Sequence, residues 1–306
     1  MNDNLLQFSS AIARACGLHE PAVQLWLKVS MQNDVMPEDV AAAQALVGQP
    51  PPPPQGRKFA LCIGVNRYGG GNDLKGCLND CHDWTAELRS RGFTAVQLMD
   101  AAASRANILA SLREMVGKLA SGDTLVASYS GHGTQIRTND PTEPDGKDEC
   151  WVPSDFGRAG LIRDNDLADI FTTAAAGSQI IVLSDSCNSG SMTRDADGAV
   201  VNRFLDPEIA GVAEPPDMLS ERAIKPRDVP SVILLSGCAD HETSADAHIG
   251  GRYCGAMSYH ALAALNAKPT WEQWHRMTVA ALRQAGFRQT PQLTCPEALR
   301  NERALA

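Results

Sequence analysis

From residue 57 onward the chain alternates short uninterrupted apolar runs with longer stretches in which apolar residues recur every three or four positions. The runs at 59–65, 95–99, 125–129, 179–183 and 231–235 predict strands buried on both faces, because such a strand has no solvent side to make polar. The stretches at 76–91, 104–120, 164–176, 259–267 and 271–285 predict amphipathic helices, and 292–294 a last short strand. Regular alternation of the two implies an α/β fold with a mainly parallel central sheet and helices on both faces. In such a sheet, sites form beyond the carboxyl ends of the strands.

The first part of the chain has a different pattern. Residues 1–48 carry apolar positions at helical spacing and predict a small helical region. Gln49 and the run Pro50 to Pro54 follow, a polyproline spacer able to form neither helix nor sheet. The expected organisation is therefore an N-terminal adaptor or pro-region (1–48), a linker (49–56) and a main domain (57–306). Within that domain, residues 191–230 interrupt the alternation with Asp, Glu, Arg and Pro, dividing a larger part (57–190) from a smaller one (231–306). Loops of this length are usually functional or mobile.

Composition narrows the partners. A formal net charge of -9 argues against nucleic acid or an anionic membrane surface and suits a cationic ligand. No apolar run reaches the length of about 18 residues that a membrane helix needs, and the start Met1-Asn2-Asp3-Asn4 has no signal-peptide character; the expectation is a cytoplasmic protein. Nine cysteines, an odd number without regular spacing, read as reduced thiols rather than a disulfide framework. Cys77, Cys81 and His82 lie in a helical pattern without a second ligand pair, which favours packing over zinc. Trp271 and Trp274 read as core.

Two strand ends carry chemistry. Ser184-Asp185-Ser186-Cys187-Asn188-Ser189-Gly190 follows one apolar run, and Tyr129-Ser130-Gly131-His132-Gly133 closes another. A thiol attacks a carbonyl as thiolate and needs an imidazole nearby to take its proton. His132 and Cys187 meet that need. The backbone N–H groups of Gly133 and Cys187 are candidate donors to an oxyanion. An α/β-hydrolase arrangement is disfavoured, since there the nucleophile precedes the histidine and sits in a Gly-x-Cys-x-Gly elbow that this chain lacks.

With these motifs stand Phe59-Ala60-Leu61-Cys62-Ile63-Gly64-Val65-Asn66-Arg67-Tyr68, Leu74-Lys75-Gly76-Cys77-Leu78-Asn79-Asp80 and Ser236-Gly237-Cys238-Ala239-Asp240, the last continuing to Thr243-Ser244-Ala245-Asp246. From about residue 57 to its end the chain resembles the metacaspases, of the caspase-like clan of cysteine peptidases, with a type I-like pro-region and proline linker. The resemblance implies a caspase-like fold, a His132–Cys187 dyad, hydrolysis through an acyl-enzyme thioester, and cleavage after Arg or Lys. It places Asp80, Asp185, Cys77 and Ser130 in the pocket for that basic side chain, where carboxylates pair a desolvated cation.

The same resemblance implies calcium as an activator, with no cofactor needed for the chemistry itself, and its ligands fall on Asp148, Asp164 and Asn165. One family carboxylate has become Asn165 and another falls on Arg194, so the oxygen set is incomplete. Protein or peptide substrates are the expected partners, with a protein partner for residues 1–48. A catalytically silent scaffold that kept the fold is the alternative reading. Arg194, Arg203, Arg222, Lys225 and Arg227 make the 191–230 insertion a candidate for self-cleavage.

Overall fold

A computed structural model describes residues 56–138, 147–187, 200–210, 231–239 and 242–306. The expected adaptor helices and proline linker lie outside these residues. In chain order the described elements are β1 (Lys58–Gly64), α1 (Cys77–Ser90), β2 (Thr94–Met99), α2 (Arg105–Val116), β3 (Thr124–Ser130), β4 (Gly133–Arg137), β5 (Lys147–Trp151), α3 (Phe156–Ala159), β6 (Ile162–Arg163), α4 (Asp164–Phe171) and β7 (Gln179–Asp185). They continue with β8 (Val200–Asn202), β9 (Ser231–Ser236), β10 (Ala245–Ile249), β11 (Arg252–Gly255), α5 (Ala256–Leu265), α6 (Trp271–Gln284) and β12 (Gln292–Thr294).

The central sheet has the order β12-β9-β7-β3-β1-β2. All its pairings are parallel except β12 with β9. Side chains alternate between faces along each strand, and that alternation builds two cores. Ala60 and Cys62 of β1, Val126 of β3 and Ile181 and Leu183 of β7 pack with α1, α5 and α6. Their neighbours Leu61, Ile63, Leu125, Ala127, Ile180 and Val182 pack with α2 and α4 on the other side. Trp271 and Trp274 are buried in the first core, as their helical spacing predicts.

Helix ends follow local chemistry. The Ser104 hydroxyl accepts the Asn107 N–H ahead of α2, and Thr270 and Gln273 form a reciprocal capping box ahead of α6.

Two smaller sheets were not foreseen by the apolar pattern. One runs β4-β5-β6 and the other β11-β10-β8. Their strands are short, and β10, Ala245–Ile249, carries Asp246 and His248 in place of an apolar run, so period and propensity were both weak. The β8 strand is part of the 191–230 insertion and pairs antiparallel with β10, Val201 facing Asp246.

Candidate active site

Strands β3 and β7 are paired with Ser130 opposite Asp185. His132 and Cys187 each follow that pair by two residues, so both leave the sheet at the same edge. His132 is 1% and Cys187 0% exposed.

The tautomer of His132 follows from its partner. Its Nε2 lies 2.7 Å from the carbonyl oxygen of Asn72, which can only accept, so Nε2 carries the hydrogen and Nδ1 the lone pair. Nδ1 is buried and has no hydrogen-bond partner among the described residues. Asn72 arrives there through Gly69, Gly70 and Gly71, with φ of 73°, 62° and 89°, a turn that side chains with a Cβ resist. The His132 N–H donates to the Tyr68 hydroxyl at 2.9 Å, and its carbonyl accepts from the Tyr129 hydroxyl at 2.6 Å. Burial lowers the imidazole to about 4, against the pull of the Asn72 carbonyl and with help from the Arg203 guanidinium. The ring is thus a neutral base at neutral pH.

The Cys187 thiol touches the backbone of Ser244, whose N–H donates to the sulfur and whose carbonyl lies 3.3 Å from it. Burial pushes the thiol up, and the neighbouring Cys238 thiol adds to the shift. Cys187, Cys238 and Phe204 form one small apolar cluster.

Arg203, just beyond β8, is fully buried at this edge. Its carbonyl oxygen accepts from both the Gly133 N–H at 2.9 Å and the Cys187 N–H at 3.1 Å. Its own N–H donates to the Ser244 carbonyl at 2.9 Å. Nη2 donates to Asp80 at 2.6 Å and to Asp246 at 3.0 Å, while Nη1 donates to the Asp185 carbonyl at 3.0 Å and lies 3.3 Å from its carboxylate. The guanidinium therefore fills a pocket of carboxylates while the carbonyl sits between the two N–H groups that the sequence marks as oxyanion donors.

The pocket is assembled from separate elements. Asp80 lies on the face of α1 turned to the sheet, and Asp185 ends β7 on that same face. Each carboxylate is held by further donors: Gly255 N–H on Asp80, Ser258 N–H and the Ser244 hydroxyl on Asp185, Lys75 and Gly76 N–H on Asp246. Gly255 forms one wall, where a Cβ would meet the Asp185 carboxylate at 2.1 Å and Arg203 Nη1 at 2.5 Å. Burial and the charge of Asp185 raise Asp80 to about 6, although the guanidinium opposes this. Cys77 is buried at the start of α1, its thiol pushed up by burial and pulled back by Arg203. Ser130 is buried beside Asp185, but the guanidinium's hydrogen bonds among the described residues go to the aspartates.

Sequence reasoning missed Asp246 as a pocket residue. It was quoted within the Thr243–Asp246 motif, and a carboxylate beside a serine in a sequence rich in small residues was its signal. Of the basic residues in the insertion, Arg203 is described; Arg194, Arg222, Lys225 and Arg227 lie outside the described residues.

The residues expected to hold calcium come together. The Asp148 carboxylate is buried and accepts from Arg163 Nη1 at 3.3 Å and from the Asn165 side-chain amide at 3.5 Å; Asp164 accepts the Asn165 N–H at 2.8 Å. The partly exposed Arg163 guanidinium would have to swing aside for the all-oxygen shell that calcium requires, and the described residues hold no cluster of three or more potential metal-ligating His, Cys, Asp or Glu. Cys77 and Cys81 are buried free thiols. Among the described residues, no helix is long and apolar enough to cross a membrane.

The sequence and the fold are shared with known proteins. The family described as "Metacaspase, peptidase C14 domain" matches residues 58–195. Metacaspase-1 of Cryptococcus neoformans var. neoformans serotype D is 35% identical over 258 residues, covering 70% of this chain and 56% of that protein. Metacaspase-3 of Trypanosoma cruzi is 32% identical over 260 residues, covering 77% of this chain and 70% of that protein. The chain thus spans little more than half the length of some curated relatives. A Geobacter sulfurreducens crystal structure superposes with a TM-score of 0.66 at 28% identity, covering 82% of this chain and 98% of that one. Caspase-1 from Spodoptera frugiperda, at 11% identity and a TM-score of 0.53 over 79% of this chain and 87% of its own, shares the fold.

Proposed function

The chain belongs to the metacaspase family of cysteine peptidases, and we propose that it hydrolyses peptide bonds after Arg or Lys, beginning with its own Arg203–Phe204 bond. The reading rests on one observation above all. Arg203 is bound as a substrate residue must be, guanidinium among Asp80, Asp185 and Asp246 and carbonyl oxygen between the N–H groups of Gly133 and Cys187.

In the proposed reaction Cys187 Sγ attacks the Arg203 carbonyl carbon while its proton passes to His132. Negative charge developing on the carbonyl oxygen falls between donors already in place, which need no reorganisation as the barrier is crossed. Collapse breaks the bond to Phe204 nitrogen, and that amine leaves with the proton from His132. Water, activated by the same imidazole, then hydrolyses the thioester and frees the thiol. The Asn72 carbonyl on Nε2 and the Tyr68 ring, 4.6 Å from the imidazole between centroids, keep the ring from turning.

Selection of the cation follows from charge. With Arg203 gone, the pocket would present three buried carboxylates and no internal cation, so an incoming Arg or Lys recovers pairing that no neutral or acidic residue supplies. A substrate Asp would add a fourth negative charge.

The test is hydrolysis of short peptides carrying Arg, Lys or Asp before a reporter group. Arg and Lys peptides should be cut and the Asp peptide left intact, with Cys187→Ala slower by more than about a thousandfold. Intact-mass measurement should find a fragment boundary between Arg203 and Phe204. Equal rates for wild type and Cys187→Ala would refute the mechanism; cleavage after Asp would remove the pocket assignment.

A further inference from the structure

Beyond the bond that the proposed chemistry would break, residues 204–210 continue along the opposite side of the site. Leu205 donates its N–H to the Gly133 carbonyl at 2.9 Å, and Gly133 in turn donates its N–H to the Arg203 carbonyl. One glycine thus clamps the backbone on both sides of the Arg203–Phe204 bond. The clamp fixes the direction of the Leu205 side chain, which is 0% exposed. It lies in a separate apolar cluster with Ile136 of β4, Cys150 of β5, Val152, Leu161 and Ala210, with Tyr68 and Phe156 packed against it.

We infer that the apolar cavity filled by Leu205 is a substrate subsite, accepting a large aliphatic side chain two residues after the cut. Apart from Ala210, which belongs to the seated segment, the lining comes from Tyr68, Ile136, Cys150, Val152, Phe156 and Leu161, so most of the cavity belongs to the enzyme and not to the segment it holds. Its lining offers apolar side chains, so an acidic side chain there loses water without gaining a partner, and a glycine leaves apolar surface unburied. The preferred substrates are peptides in which a basic residue is followed, one residue further on, by Leu or a side chain of similar size. This rests on the proposed peptidase function and adds a second point of selection to it.

The test uses the unmodified full chain and internally quenched peptides. The parent peptide copies residues 200–207, Val-Val-Asn-Arg-Phe-Leu-Asp-Pro; two others replace its Leu by Gly or Asp. A fourth peptide carries the reporter directly after Arg and has no residue for the cavity. The Leu peptide should exceed the Gly and Asp peptides by about tenfold or more in kcat/KM. Equal kcat/KM for all three, with the reporter peptide also cut, overturns the subsite and leaves the peptidase function standing. Failure to cut any of the four, the reporter peptide included, overturns the function on which the subsite rests.

Discussion

At the residue scale, the identities of the reacting groups were legible and their protonation was not. A histidine between glycines and a cysteine after an aspartate, each ending an apolar run, already point to thiol chemistry. That His132 presents Nδ1 depends on a carbonyl 60 residues earlier in the chain, since Nε2 is bound to Asn72 oxygen. That it stays neutral depends on burial and on Arg203. The proposed base works unprotonated, so a lowered pKa extends its activity toward acid. Self-cleavage of the intact chain should hold its rate down from neutrality and fall as pH drops through about 4. If the proposed cut lets Arg203 leave the pocket, loss of its cation and entry of water would return the ring toward its ordinary 6.5, outweighing the smaller loss of its backbone contact. The acid limb of kcat/KM for an added Arg peptide, which reports the free enzyme, should therefore lie at higher pH. Coincident limbs in the two profiles would sink this account.

At the element scale, long apolar strands and amphipathic helices were readable because each has one dominant period. The β4, β5, β8, β10 and β11 strands were not, being short and mixed in polarity. They are nonetheless the elements that position the seated segment. β8 pairs with β10 in the register Asn202 to Ala245 and Val201 to Asp246, which delivers Arg203 to the pocket one residue later. Proline at 201 would remove an N–H from this short ladder and hold φ near −65°, away from the extended values of an antiparallel strand. A loss of roughly 2 kcal/mol in seating the segment corresponds to about thirtyfold in rate. Val201→Pro should slow self-cleavage by that order, followed by intact mass against time. An unchanged time course would mean that β8 pairing has no part in presenting the bond.

At the scale of the whole molecule, the proposed substrate and the proposed enzyme are one chain. Arg203 reaches Asp80 on α1, Asp185 on β7 and Asp246 on β10 within a single compact unit spanning residues 56–306. Self-cleavage should accordingly be first order: its half-time, read from fragment intensities, stays constant over a hundredfold dilution. A half-time lengthening in proportion to dilution would assign the cut to a second molecule instead. The amino-acid sequence by itself determined the α/β layering, the strand ends and the residue types able to do thiol chemistry, because periodicity and local punctuation are properties of adjacent residues. Only the tertiary structure decided that Asp246 joins the pocket and that Arg203, among several basic residues in one insertion, fills it. It likewise decided that Arg163 lies on the carboxylate expected to bind calcium. Each of these depends on pairing between distant segments, where the energy comes from charges and hydrogen bonds buried together and no local pattern records which partners meet.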